Sequence, residues 1–102
     1  MKESEIESHL KRRVEALGGK CWKWVSPGRL GVPDRILILP GGIIWFVETK
    51  APGKRERASQ VYVQTVLRNL GCTVWPSVDS KERVDDILNY YERQVRPHAD
   101  KV

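Results

Sequence analysis

Residues 31–54 read GVPDRILILPGGIIWFVETKAPGK. Two apolar runs, DRILIL at 34–39 and IIWFVET at 43–49, flank Pro40-Gly41-Gly42, which is a β-hairpin signal. Both runs are apolar at nearly every position and rich in β-branched and aromatic residues. That pattern predicts strands covered on both faces, as in the middle of an α/β layer. Yet an acid stands at the outer end of each run, Asp34 and Glu48, with Lys50 just beyond the second.

The hairpin register decides what those charges can do. A three-residue loop pairs Leu39 with Ile43 and places Asp34 opposite Glu48, on one face with Cβ atoms ~5 Å apart. Alternation then adds Lys50 to that face. A two-residue loop sets Asp34 against Thr49 instead. Pro40 has no N–H for a ladder and favours the longer loop. Two carboxylates that close repel one another, and a divalent cation between them relieves the repulsion. A site of oxygen ligands alone suits a hard ion, Mg²⁺ above all, which meets its substrate through phosphate oxygens. Lys50 can then stabilise developing negative charge or help activate the attacking water.

Outward from the hairpin the periods change. Ile6, Leu10, Val14 and Leu17 recur at helical spacing and predict a helix over 3–17, stopped by Gly18-Gly19. Ser4 and Glu7 fit a capping box there, and Glu7 with Lys11 fits an i,i+4 pair. CWKWV reads as a short strand and SPGRLGVP as a loop. A second helix is predicted over 59–70, with Val63, Val66, Leu67 and Leu70 as its stripe and Gly71 as its stop. CTVWPSV is a fourth strand. DSKE opens a third helix, with Asp79 and Glu82 as a capping box and Val84, Ile87, Leu88 and Tyr91 as its stripe. The order is helix, three strands, helix, strand, helix: an α/β fold with helices on both faces of a small mixed sheet. Residues 1–95 form a single domain on this reading, and 96–102 a loose tail.

The bulk numbers narrow the partners. A chain of 102 residues, 40% hydrophobic and 30% charged, is one ordinary globular domain. No apolar run is long enough to span a bilayer, and MKESEIESHL is too charged for a signal peptide, so cytoplasm or nucleoid is expected and no membrane partner. Cys21 and Cys72 have no zinc-site spacing, and no serine or cysteine has a placed histidine partner. The net charge of +5 is gathered in HLKRR, PGRLGVPDR and KAPGKRER, which points to a polyanion. Ser26, Arg29, Arg35, Lys54, Arg55 and Arg57 are the phosphate-contact candidates. PGRLG is no Walker loop, because no Gly-Lys-Ser/Thr follows. Trp22, Trp24, Trp45 and Trp75 read as core or interface residues, and His9 and His98 as exposed and idle.

VPDR, with ETK placed so that Glu48 follows Asp34 by fourteen residues, resembles the PD-(D/E)XK nuclease signature. SPGRLGVPDRILILPGGIIWFVETKAPGK, followed by ASQ at the opening of a helix, is similar to a VRR-NUC domain of the short standalone kind associated with bacteriophage genomes. The resemblance covers roughly residues 3–88. It implies a restriction-endonuclease-like core of helix, three strands, helix and strand, plus a C-terminal helix. It also implies phosphodiester hydrolysis dependent on Mg²⁺ or Mn²⁺, with no organic cofactor. Standalone members resemble Holliday-junction resolvases, so endonucleolytic action on branched or four-way-junction DNA by a homodimer is implied too. Carried over residue by residue, Asp34 and Glu48 become metal ligands, the Thr49 backbone carbonyl a further ligand, and Lys50 the catalytic lysine. Glu7 takes the place of the N-terminal helical acid at the metal or water, with Glu3 and Glu5 as alternatives, and Gln60 that of the helical glutamine. The rival readings are a non-catalytic DNA-binding module on the same scaffold, a less selective flap or single-strand nuclease, and a structural or recruitment subunit with a vestigial site.

Overall fold

The hairpin sets the register of the whole sheet. In the computed structural model, which describes residues 1–99, strands β2 (Arg35–Leu39) and β3 (Ile43–Thr49) pair antiparallel from Leu39–Ile43 to Arg35–Val47. That is the three-residue loop. Gly41 and Gly42 both take positive φ, +92° and +75°, a conformation that costs a residue with a Cβ. β1 (Lys20–Lys23) adds antiparallel to the free edge of β2, and β4 (Thr73–Val78) adds parallel to β3, giving the order β1-β2-β3-β4. A parallel neighbour needs a crossover, and α2 (Ala58–Asn69) supplies it.

Helices α1 (Glu3–Ala16) and α3 (Lys81–Tyr90) share one face of this mixed sheet. Ile6, Leu10 and Val14 of α1 meet Val84, Ile87 and Leu88 of α3 over Leu37, Leu39, Trp45, Val47 and Val78. The Trp45 and Trp75 rings, 5.3 Å apart and edge-on, extend this core towards Tyr90 and Tyr91. The Tyr91 hydroxyl donates to the Pro40 carbonyl at 2.8 Å, tying the hairpin turn to the third helix. On the opposite face α2 buries Val63 near Val74, both outside the main core.

That second face is only partly covered, contrary to the expectation from the apolar strands. Trp22 is 58% exposed and Ile44 54%. Four strands at a spacing of ~4.8 Å present more width than one helix ~10 Å across can hide.

Competing partners also decide the local bonding of the helices. α1 begins at Glu3, so Ser4 lies inside it, and Lys2 at the cap position provides no side-chain bond. Glu7 turns instead to Arg35, whose Nε donates to Glu7 Oε1 at 3.0 Å. At α3 the cap is Ser80 rather than Asp79: its hydroxyl accepts from the Arg83 N–H at 3.0 Å. His9 is not idle, because its ring bonds Asp85 at 2.8 Å, and Arg13 grips the same carboxylate, clasping α1 to α3. The His9 hydrogen bond and the Arg13 guanidinium hold the Asp85 carboxyl below its usual range.

After α3 the chain widens into a π turn at Tyr91–Val95 and ends in a short helix, α4 (Arg96–Ala99). The widening falls just before Pro97, whose ring clashes with the carbonyl four residues back in an unbroken α-helix. Of the tail at 96–102, residues 96–99 are therefore helical, and 100–102 lie outside the described residues. Among the described residues no helix is long and apolar enough to cross a membrane.

Candidate active site

A bulge brings the site together. Pairing between β3 and β4 slips from Val47–Trp75 to Thr49–Val78, so β4 carries an extra residue there. Ser77 absorbs the slip at φ +51°, and its N–H is held by the Glu56 carboxylate at 2.7 Å. Such a bulge re-aims the end of a strand. Here the Lys50 N–H reaches the Val78 carbonyl at 2.9 Å as the chain leaves the sheet.

Asp34 lies one position beyond the Arg35–Val47 pair, at the end of the loop from β1. Its N–H donates to Glu48 Oε1 at 3.2 Å, which places it across from Glu48 as the longer hairpin loop requires. Its carboxylate goes further. Oδ2 accepts from both the N–H and the hydroxyl of Thr49, at 3.1 and 2.9 Å. The structure thus joins Asp34 to both of the residues that the two loop lengths offered it.

Glu48 is only 1% exposed. Its Oε2 accepts from Gln60 Nε2 at 2.7 Å and lies 3.3 Å from Lys50 Nζ. Gln60, also buried, turns its oxygen to Lys50 Nζ and to the Arg57 N–H, both at 2.8 Å. One amide therefore orients the lysine, the buried acid and the start of α2 together. Burial and then the charge of Asp34 push the Glu48 carboxyl up to about 7, with Lys50 acting in the opposite sense.

These groups open into a hollow of about 440 Å³. Asp34, Glu48, Lys50 and Gln60 line it, Glu3 stands at its α1 side, and Lys54, Arg55 and Arg57 form a basic rim. Burial, and then the charges of Asp34 and Glu7, raise the Glu3 carboxyl above its ordinary value. Glu7 lines a smaller adjoining hollow of about 280 Å³ that shares Glu3 and Asp34. Glu5 is exposed. Ser26 and Arg29 line neither hollow; the Arg29 guanidinium sits over the Tyr62 ring, 5.6 Å from its centroid. Arg35 is engaged by Glu7. Two contributors escaped the reading of the sequence: the Thr49 hydroxyl and Glu56. The second left a trace, a lone acid inside the basic run KRER.

The donor chemistry fits a hard divalent cation. Asp34 and Glu48 offer oxygen ligands only, and Mg²⁺ is commonly held by one or two carboxylates while keeping several waters. A buried acid beside a second acid, its ionisation resisted up to about pH 7, is the environment that a cation relieves. Among the described residues no group of three or more His, Cys, Asp or Glu side chains is gathered as a ready-made cage. Asp34 and Glu48 are the pair of carboxylates whose chemistry fits such an ion.

No family model matches the chain. It is 48% identical over 71 residues to "Putative nuclease p44" of Acyrthosiphon pisum secondary endosymbiont phage 1, a match covering 70% of this chain and 76% of that protein. A solved structure described as a "VRR_NUC domain" superposes with a TM-score of 0.81 at 36% identity, over 87% of this chain and 96% of the other. With fold and sequence shared across nearly the whole of that domain, the chain belongs to the VRR-NUC domain family, in its phage type.

Proposed function

We propose that this protein is a divalent-metal-dependent endonuclease that hydrolyses phosphodiester bonds in branched DNA, four-way junctions foremost, as a homodimer. The observation that carries the reading is the meeting of Asp34, Glu48, Lys50 and Gln60 in one hollow with a basic rim. A nuclease-named phage relative and the VRR-NUC fold support it.

Asp34 and Glu48 would hold Mg²⁺, or Mn²⁺ in its place, with the Thr49 carbonyl as a further ligand and Glu7 or Glu3 acting from α1. When bound, the ion supplies charge neutralisation at the phosphate and a lowered pKa for its water. The chain's own residues do the rest. Thr49 fixes Asp34 through two donors, and Gln60 with the Asp34 N–H fixes Glu48. Lys50 has three donors and spends two on Gln60 and Glu48, leaving one for a phosphate oxygen as negative charge grows on it. Lys54, Arg55 and Arg57 hold the backbone on either side, so affinity falls steeply with salt. Arg29 and Ser26 extend that contact along the neighbouring loop.

Phosphate contacts carry no sequence information, so shape selects the substrate. A four-way junction is two-fold symmetric, and a C₂ dimer brings one site to each opposed strand. The half-sheet left open around Trp22 and Ile44 is where a second copy would dock. The cytoplasm or nucleoid of a host cell is the matching workplace.

End-labelled four-way junction, flap, linear duplex and single-stranded DNA, each incubated with Mg²⁺ or with EDTA, test the proposal. Metal-dependent incision strongest on the junction is the expected result. Stronger incision of flaps or single strands would replace the junction by those substrates, and binding without incision in any metal would leave a DNA-binding module.

A further inference from the structure

The loop between β1 and β2, residues 24–34, exposes apolar side chains and ends at the hollow, which Asp34 lines. Leu30 is 84% exposed and Val25 76%. Single exposed apolar side chains are ordinary on protein surfaces. What sets this loop apart is how firmly it is held. The Trp24 N–H donates to the Asp34 carbonyl at 2.9 Å and pinches the loop at its base, while the Trp24 ring packs on Phe46 at 5.2 Å. Within it the Arg29 N–H closes a turn onto the Ser26 carbonyl at 3.1 Å, and Arg29 lies over Tyr62.

The return limb presses on α2 more closely than any side chain allows. Gly31 has φ +89°, and a Cβ there would come within 2.4 Å of the Ser59 carbonyl oxygen and 2.9 Å of the Gln60 nitrogen. Gln60 is the residue that holds Glu48 and Lys50. The loop is therefore indexed to the site at both ends, through Asp34 and through Gln60.

We infer that Leu30 is a wedge that enters the base stack where it is interrupted at a branch, and that the pinned 24–34 loop sets its distance from the hydrolytic site. This rests on the nuclease reading above and adds the feature of the DNA that is read. The surroundings favour DNA as the occupant. Arg29 directly precedes Leu30, Lys23 shares the smaller hollow with Val25, and Lys54, Arg55 and Arg57 rim the larger hollow that Asp34 lines at the loop's end, so phosphate-seeking charge and exposed apolar side chains occur along one loop and its site. Branched DNA has the complementary arrangement, phosphates outside and apolar base faces exposed at the break. Leucine is among the side chains that intercalate in this way, and unstacking costs least where a stack is already broken.

The test uses a four-way junction with 2-aminopurine beside the branch and the full chain, in EDTA so that no incision intervenes. At saturation, verified by anisotropy, the unsubstituted protein raises the 2-aminopurine emission. Leu30→Ser, equally saturated, leaves most of the emission quenched, and Leu30→Met restores the rise. With Mg²⁺, the ratio of junction to single-strand cleavage falls about tenfold in Leu30→Ser, the scale of one lost leucine contact. An emission rise in Leu30→Ser equal to that of the unsubstituted protein overturns the inference. So does a change in its sedimentation, which would assign Leu30 to the contact between subunits. If the unsubstituted protein cut no DNA, the nuclease reading would fall, while the fluorescence comparison would still decide the wedge.

Discussion

Glu48 is an acid kept where an acid is hard to ionise, and that tension has a measurable consequence. Its carboxyl ionises at about 7 in the folded chain against an ordinary 4.5, so the folded state binds this proton more tightly than the unfolded state does. The stabilisation is complete below the ordinary value and is lost as pH rises through 7. Metal-free protein should therefore lose about 1–3 kcal/mol of stability between pH 5 and 8 relative to a Glu48→Gln variant. Thermal unfolding in EDTA across that range checks this, and Mg²⁺ at pH 8 should recover the loss only in the unsubstituted protein. That Asp34, Glu48 and Lys50 meet in one hollow was legible in the sequence, because hairpin arithmetic ties their positions together once Pro40-Gly41-Gly42 is read as the loop. The choice between Glu3 and Glu7 was not. Both face the sheet end from α1, and only the packed angle of that helix brings Glu3 into the larger hollow and Glu7 to Arg35.

At the scale of elements, α2 departs most from its sequence. Its apolar residues suggested a stripe through Val63, Val66, Leu67 and Leu70, yet the buried side chains are Gln60, Val63 and Gln64, and Val66 and Leu70 point to solvent. Hydropathy places glutamine outside. Here the site draws Gln60 inward by giving its amide three partners, and that rotation carries Gln64 with it. Replacing Gln60 by leucine leaves the Glu48 carboxylate and the Lys50 ammonium short of a partner each. The expected cost is about 1–3 kcal/mol in stability, with kcat falling more than KM rises because the lysine loses its orientation. Chemical denaturation with steady-state kinetics on one preparation separates the two effects. The helix caps differ from their sequence pattern for a related reason. Ser4, Asp79 and Ser80 are all competent caps in isolation, and where the neighbouring chain enters decides which is used.

At the scale of the whole molecule, three layers are complete on one side and open on the other. The strands and the succession of elements could be read from period and composition, and the three-residue hairpin from Pro40, whereas coverage could not, since an apolar strand reads the same whether its own helix or a second copy covers it. Ile44→Asp tests which applies. The side chain is already half exposed, so folding should weaken by only about 1–2 kcal/mol, while sedimentation shifts to a monomer and paired incision of junction strands is lost. Beneath all of this lies the claim that Asp34, Glu48 and Lys50 act as one hydrolytic unit. Single-turnover cleavage of a labelled four-way junction by the unsubstituted protein and by Asp34→Asn, each with Mg²⁺ and with EDTA, addresses it most directly. The account predicts rapid cleavage only for the unsubstituted protein with metal, and a rate lower by about 10²–10³ for the variant. Cleavage that persists in EDTA, or that Asp34→Asn leaves intact, would contradict it.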